Sequence, residues 1–167
     1  MLFRSAPSSD DFSIAARNFT ADMWIRWNSL PTAGNDHCIF TRNDGAALYN
    51  YVFWLKNVAG TYKFGMESWN GSASAISWTI DSTGLSTGTW YHIAVVRSGS
   101  TFYVFQDGSQ LGTATDADAF PTNAYTFYIG NLYGTRYLNG WIDDFRFSLD
   151  SARWTAAFTV PSSAWYD

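Results

Sequence analysis

An all-β fold, a two-sheet antiparallel β-sandwich of jelly-roll type, is predicted by three observations. Strand-like runs of alternating polarity recur at short spacing along the chain, divided by clusters of Gly, Asn, Asp, Ser and Thr. Helical periodicity is almost absent. The third observation is the stretch Trp90 to Leu111, WYHIAVVRSGSTFYVFQDGSQL, which reads as two strands about a Ser98-Gly99-Ser100 turn and an Asp107-Gly108 turn into a third. Asp-Gly tolerates the positive φ that a two-residue type I′ hairpin needs at both central positions. The first of these strands is largely apolar on both parities: Trp90, His92, Ala94 and Val96 face one way, Tyr91, Ile93, Val95 and Arg97 the other. Such a strand is expected in mid-layer, covered on both faces for most of its length.

Taken in order, Leu2-Phe3-Arg4 opens the chain as a strand, with Phe12 to Ala15 expected to pair nearby. Phe19 to Trp27 alternates Phe19, Ala21, Met23, Ile25 and Trp27, the expected core face, against Thr20, Asp22, Trp24 and Arg26. Leu30 to Asp36 is a loop of turn formers, His37 to Arg42 a strand, and Asn43-Asp44-Gly45 its turn. Tyr49 to Lys56 and Thr61 to Glu67 form a hairpin about Val58-Ala59-Gly60, with Tyr49, Tyr51, Phe53 and Leu55 on one face. Trp69 to Ser72 is a loop carrying a large ring, and Ala75 to Ile80 a strand. Beyond the opening stretch lie a polar loop from Asp116 to Asn123 and two long strands, Tyr125 to Gly130 and Leu138 to Phe147, joined across Leu132 to Arg136. Ser151 to Trp154 is expected to form one helical turn, and the tail to Asp167 to pack along the sheet edge. With no linker, low-complexity tract or internal repeat, residues 1–167 are expected to form one domain.

Composition narrows the partners. Charged residues are 14% and hydrophobic ones 47%, the balance of a folded domain. Ten cationic side chains against 14 acidic ones leave a net charge of −4 with no basic run, which argues against nucleic acid as a partner. No apolar stretch approaches the roughly 20 residues of a membrane helix, so no membrane insertion is expected. The N-terminal MLFRSAPSSDD lacks a charged-then-apolar signal layout. The single cysteine, Cys38, excludes an internal disulfide and reads as an inert buried thiol. Aromatics reach 19%, more than a core requires, and part of that surplus is expected on the surface as contact area.

Three segments carry a resemblance. Phe19-Thr20-Ala21-Asp22-Met23-Trp24-Ile25-Arg26 resembles the opening strand of laminin-G-like, concanavalin A-like jelly rolls, where Glu more often stands at the position of Asp22. Gly88-Thr89-Trp90-Tyr91-His92-Ile93-Ala94-Val95-Val96-Arg97 resembles their core strand, and Asn139-Gly140-Trp141-Ile142-Asp143-Asp144-Phe145-Arg146 their closing strand. The likeness runs from Phe12 to Val160, and Ala152 to Pro161 is similar to the variant found in bacteriophage and bacterial surface proteins. It implies a concanavalin A-like jelly roll whose relatives include sugar-binding modules, adhesion domains, virion-surface proteins and some glycoside hydrolases.

Catalysis finds little support in the residues. Hydrolases of this fold carry a Glu-x-Asp-x-x-Glu run, whereas this chain has one glutamate, Glu67, with Asp81 beyond a loop. No Gly-x-Ser-x-Gly elbow occurs, and His37 and His92 lack recognisable catalytic partners, so a non-enzyme is expected. In the core stretch, His92 and Arg97 are expected to satisfy polar groups of the scaffold. For metal, the resemblance implies a structural calcium at Asp143 with backbone carbonyls completing its shell. The alternative is that Asp143 or Asp144 pairs with Arg146 or Arg97, or caps nearby amides. Asp116 and Asp118 form a weaker candidate pair, also explicable as a solvated turn.

For sugar, the candidates are loop rings with polar neighbours: Trp69 beside Asn70, Tyr133 and Tyr137 beside Arg136, and Tyr49 beside Asn50, with Asn35 and Asp36 as acceptors. The function expected is a non-catalytic, glycan-binding adhesive module on a virion surface or otherwise outside the cell. The alternative is a structural capsid decoration or tail component whose rings pack on other virion subunits or on copies of itself as a homo-oligomer.

Overall fold

Two antiparallel sheets face one another in the computed structural model, which describes residues 4–160. The first runs in the order β1 (Arg4–Ala6), β10 (Thr126–Ile129), β3 (Asp36–Asn43), β4 (Tyr49–Val58), β5 (Thr61–Trp69), β6 (Ser77–Asp81). The second runs β13 (Gly140–Leu149), β2 (Phe19–Trp27), β7 (Trp90–Ser98), β8 (Thr101–Gln106), β9 (Ser109–Thr115). A short hairpin, β11 (Asn131–Leu132) and β12 (Arg136–Tyr137), lies over the first sheet. The all-β sandwich expected from the sequence is the fold.

Period-two patterning places the core. Phe19, Ala21, Met23, Ile25 and Trp27 are fully buried and pack, within one cluster, with Tyr51, Phe53, Leu55, Phe64 and Met66 of the opposite sheet. Each Ile, Leu, Met or Phe among them contributes about 1.5–3 kcal/mol on leaving water. The turns follow their local chemistry: Asp107 and Gly108 both take positive φ (51° and 75°), as do Ala59 and Gly60 (51° and 92°) between β4 and β5.

β7 is covered on both faces for most of its length, as its double apolar parity requires, with Trp90 at its start left exposed. Its inner residues join the core, while Ala94 and Val96, with Phe105 of β8, meet Ala152, Trp154 and Phe158 of the C-terminal segment. That segment therefore crosses the outer face of the five-stranded sheet as a strap as far as Val160, whereas the sequence suggested packing along an edge; residues 161–167 of the expected tail lie outside the described residues. The expected helical turn at Ser151–Trp154 is absent, because β2 takes the hydrogen bonds a turn would use. Thr20 Oγ1 donates to the Ser151 carbonyl at 2.8 Å and accepts from the Arg153 amide at 3.0 Å. Phe158 then donates its amide to Gly108 O at 2.9 Å, tying the strap to the Asp107-Gly108 turn.

Two further expectations change. Phe12–Ala15 forms no strand: Phe12 closes a 3₁₀ turn, Asp10–Phe12, capped by Ser9, and its ring stacks on Phe127 at 4.4 Å. Of the expected first strand, Arg4 pairs with Ile129, and Leu2 and Phe3 lie outside the described residues. Tyr49 does not share the face of Tyr51, Phe53 and Leu55, because a bulge between Tyr49 and Val52 turns it outward.

Candidate functional site

On the outward face of the six-stranded sheet, Cys38, Val52, Trp54 and Leu132 form a small buried cluster against which Tyr49 and Tyr133 pack. The β11–β12 hairpin builds this cover, with Tyr133 and Gly134 at positive φ (55° and 67°) in its turn. Gly65 makes room for it: a Cβ there would overlap the Trp54 ring lying across it. Burial pushes the Cys38 thiol well above its ordinary value, in keeping with an inert core thiol.

Around this cluster the fold gathers most of the candidate sugar-contacting residues. The Tyr49 and Tyr133 ring centroids are 6.0 Å apart, and Tyr49 stands directly opposite Trp69 in the strand register. The Tyr49 hydroxyl donates to Glu67 at 2.8 Å. Arg136 Nη1 lies 3.2 Å from Asp36 Oδ2, the carboxylate nearly covered and the guanidinium half-exposed. Burial raises the Asp36 carboxyl, and Arg136 and Lys56 pull it back. Burial also raises the Tyr49 and Tyr133 phenols, which therefore stay neutral donors. Tyr137, 40% exposed, belongs to the same hairpin, opposite Asn131. Asn70 and Asn35 instead serve their own loops: Asn70 Oδ1 accepts the Ser72 and Ala73 amides, both at 2.9 Å, and Asn35 Nδ2 donates to Thr32 at 2.8 Å.

Asp143 lies elsewhere, on β13 beside a groove of about 420 Å³ whose walls include Arg4, Asn28, Asn139, Trp141 and Asp144. Its Oδ1 accepts the Asp144 amide at 2.9 Å, the capping alternative, at a bulge where Asp144 takes φ 49°. Among the described residues no group of three or more His, Cys, Asp or Glu side chains could hold a metal ion. The donors at hand for calcium are thus two neighbouring carboxylates and backbone carbonyls, against the six to eight oxygens the ion takes. Asp116 and Asp118 form a turn, the Asp118 amide donating to Asp116 Oδ1 at 3.0 Å.

The scaffold histidine and arginine have defined partners. His92 Nε2 is 3.3 Å from Asp22 Oδ2, both residues buried, beneath Trp154 and Phe158. Arg97 reaches four backbone carbonyls, of Ala15, Gly99, Asp116 and Asp118, and its cation lies 5.0 Å over the Phe102 ring. It pairs with neither Asp143 nor Asp144, since it sits at the far end of β7.

Sequence reasoning missed one constellation. Trp141, Arg26 and Trp90 stand side by side across β13, β2 and β7 on the outer face of the five-stranded sheet. Parity alone turns Arg26 outward once the odd residues of β2 are core. The pairing with Trp141, however, depends on a register set 115 positions away.

A family model described as the concanavalin A-like lectin/glucanases superfamily matches residues 5–162. No curated protein sequence matches the chain. Among solved structures it resembles a heptameric SAP-like pentraxin from Limulus polyphemus, with a TM-score of 0.61 at 21% identity over 94% of this chain and 70% of that one. It also resembles the Ruminococcus gnavus IT-sialidase CBM40 bound to α2,3-sialyllactose, with a TM-score of 0.60 at 11% identity over 89% and 90% of the two chains. A third likeness is tailspike protein 2 of Escherichia coli O157:H7 bacteriophage CAB120, with a TM-score of 0.60 at 13% identity over 84% of this chain and 21% of the tailspike. The two-sheet sandwich and the family match together place this chain in the concanavalin A-like lectin/glucanases superfamily, as a laminin-G-like domain.

Proposed function

We propose that this domain is a non-catalytic adhesive module that binds glycans on a host or matrix surface and is carried on the outside of a virion or cell. The observation that carries this reading is the cluster on the six-stranded sheet, where Tyr49, Tyr133 and Trp69 adjoin the polar groups of Asp36, Arg136 and Glu67. A pyranose needs both features: an aromatic face for its apolar side and oriented partners for its hydroxyls. The fold shared with the sialyllactose-bound module supports sugar as the ligand class, and the fold shared with the phage tailspike supports the virion setting.

Hydrolysis fits the pair Glu67 and Asp81 poorly. Glu67 stands opposite Ser77 and Asp81 opposite Lys63, four residues apart along β6. At ~3.3 Å per residue that is about 13 Å, wider than the ~5–9.5 Å between glycosidase carboxylates. Asp81 is further held in an ion pair with Lys63. Calcium at Asp143 belongs to the proposal as a structural ion, with Asp144 its nearest additional carboxylate.

The test is a broad glycan array read with wild-type protein, Arg136→Gln and Tyr133→Ala. Binding by the wild type that falls about tenfold in Arg136→Gln, the scale of a lost charged hydrogen bond, is the expected result. A silent array with a protein that co-sediments with virion particles would instead favour the structural reading, in which the same rings pack on other virion subunits.

A further inference from the structure

The row formed by Trp141, Arg26 and Trp90 crosses three strands of the five-stranded sheet. Trp141 is 55% exposed and Trp90 39%, the former the most exposed of the large apolar side chains described. The Arg26 guanidinium lies between them, 5.7 Å from the Trp90 ring centroid and 6.0 Å from that of Trp141. Its Nε is buried without a hydrogen-bond partner among the described residues, and no carboxylate there pairs with it. A guanidinium offers five donors in a planar fork, and its flanking rings hold the fork in place without answering those donors.

Among the described residues, the C-terminal strap does not reach this row. Trp154 and Phe158 cover His92, two residues along β7 from Trp90, and Phe158 is tied to Gly108. No described residue covers the row, and on the Trp141 side it adjoins the 420 Å³ groove that Arg4, Asn28 and Asn139 also line.

We propose that Trp141, Arg26 and Trp90 form a second binding surface, separate from the Tyr49–Tyr133 cluster, for a carboxylate-bearing sugar chain. The proposal rests on the sugar-binding reading above and adds a charge class and a place. Charge complementarity selects the acid: an unpaired, ring-clamped guanidinium is matched by a carboxylate taken up as a two-toothed partner. The rings select the sugar. They sit two strand spacings apart, about 10 Å, so successive pyranoses can lie one on each indole with the acid group over Arg26. Asp143 stands two residues along β13 from Trp141, where it repels a second acid group and accepts hydroxyls instead. A chain carrying acidic and neutral sugars in alternation suits this layout best. A polyphosphate backbone suits it poorly, given those neighbouring acids and the net charge of −4.

Isothermal titration with a hyaluronan hexasaccharide, a galacturonate trisaccharide and α2,3-sialyllactose, each beside its carboxyl-reduced or neutral counterpart, tests the proposal. At least one acid is expected to bind about tenfold tighter than its neutral partner, and more weakly as salt is raised. Arg26→Gln and Trp141→Ala should each lose about tenfold while Arg136→Gln retains the affinity. Trp141 is exposed enough that its truncation leaves the thermal midpoint unmoved, which separates lost binding from lost folding. Equal affinity for acid and neutral forms, unchanged binding in Arg26→Gln, or no binding by any acid at millimolar concentration would overturn it. So would concentration-dependent dimerisation abolished by Trp141→Ala, which would assign the row to a second copy of the chain. Failure of these arms with Arg136-dependent binding of neutral glycans intact would remove this surface alone and leave the first site standing.

Discussion

Arg146 donates two hydrogen bonds to Asp22, Nε to Oδ1 at 2.9 Å and Nη2 to Oδ2 at 3.1 Å, from directly opposite it in the register of β13 and β2. Asp22 is fully buried, its second oxygen also faces His92, and the Arg146 cation lies 5.6 Å from the ring of Trp154. A charged pair is thus sealed between the outer sheet face and the strap.

Removing one partner of such a pair leaves the other charge buried without compensation. Asp22→Ala is expected to lower stability by about 3–5 kcal/mol, read from urea unfolding, and Asp22→Asn by less because an amide oxygen still accepts. A loss below 1 kcal/mol in Asp22→Ala would mean that water reaches Arg146.

The strap should be separable from the sandwich. In Gly108→Ala the new Cβ would overlap the Phe158 carbonyl at a residue already at φ 75°. Trp154→Ala removes the ring that stacks on Phe158 at 3.8 Å. Each is expected to cost about 2–3 kcal/mol, somewhat less than truncating a wholly buried ring. Hydrogen exchange should quicken at Ala94 and Val96 while the amides of β4 stay protected. Uniform acceleration would show instead that strap and sandwich unfold as one.

Acid sensitivity near neutrality should trace to His37. Burial lowers its pKa, and its Nδ1 has no hydrogen-bond partner among the described residues. A histidine depressed in the folded state takes its proton more readily when unfolded. Stability is therefore full above the unfolded value of about 6.5 and is lost as pH falls through it toward the lower folded value. Thermal midpoints between pH 7.5 and 5.5 should fall less steeply in His37→Gln than in wild type; parallel slopes would clear His37 of the effect.

Calcium can be judged by linkage. A weak site of the extracellular kind, held at Asp143 with Asp144 close by, should raise stability by about 1–2 kcal/mol at millimolar calcium. Asp143→Asn should remove that increment without altering the metal-free midpoint. An increment that survives the substitution would place the ion elsewhere.

How much of the candidate site was legible depended on how local its signals were. Rings beside polar residues in turns pointed to Tyr49, Trp69, Tyr133 and Arg136, and the fold draws them together. That Asn70 and Asn35 tie down their own loops also follows from local chemistry, since short amides at turns hydrogen-bond nearby backbone and side-chain groups. The partner of Asp36 was not legible, because the hairpin that delivers Arg136 lies 100 residues further along.

By itself the sequence determined the layered β architecture, the core face of β2, the double covering of β7 and the Asp107-Gly108 turn. Period-two patterning and backbone φ preference are properties of neighbouring residues, so they survive without knowledge of the fold. Only the tertiary structure decided what covers β7, which carbonyls Arg97 holds, and that Arg26 stands between two tryptophans. The long-range ones, Arg97 to Ala15, Arg26 to Trp90 and Trp141, and Thr20 to Arg153, join positions 64 to 133 residues apart through strand register and the path of the strap, and register leaves no mark on the residues around any one of them.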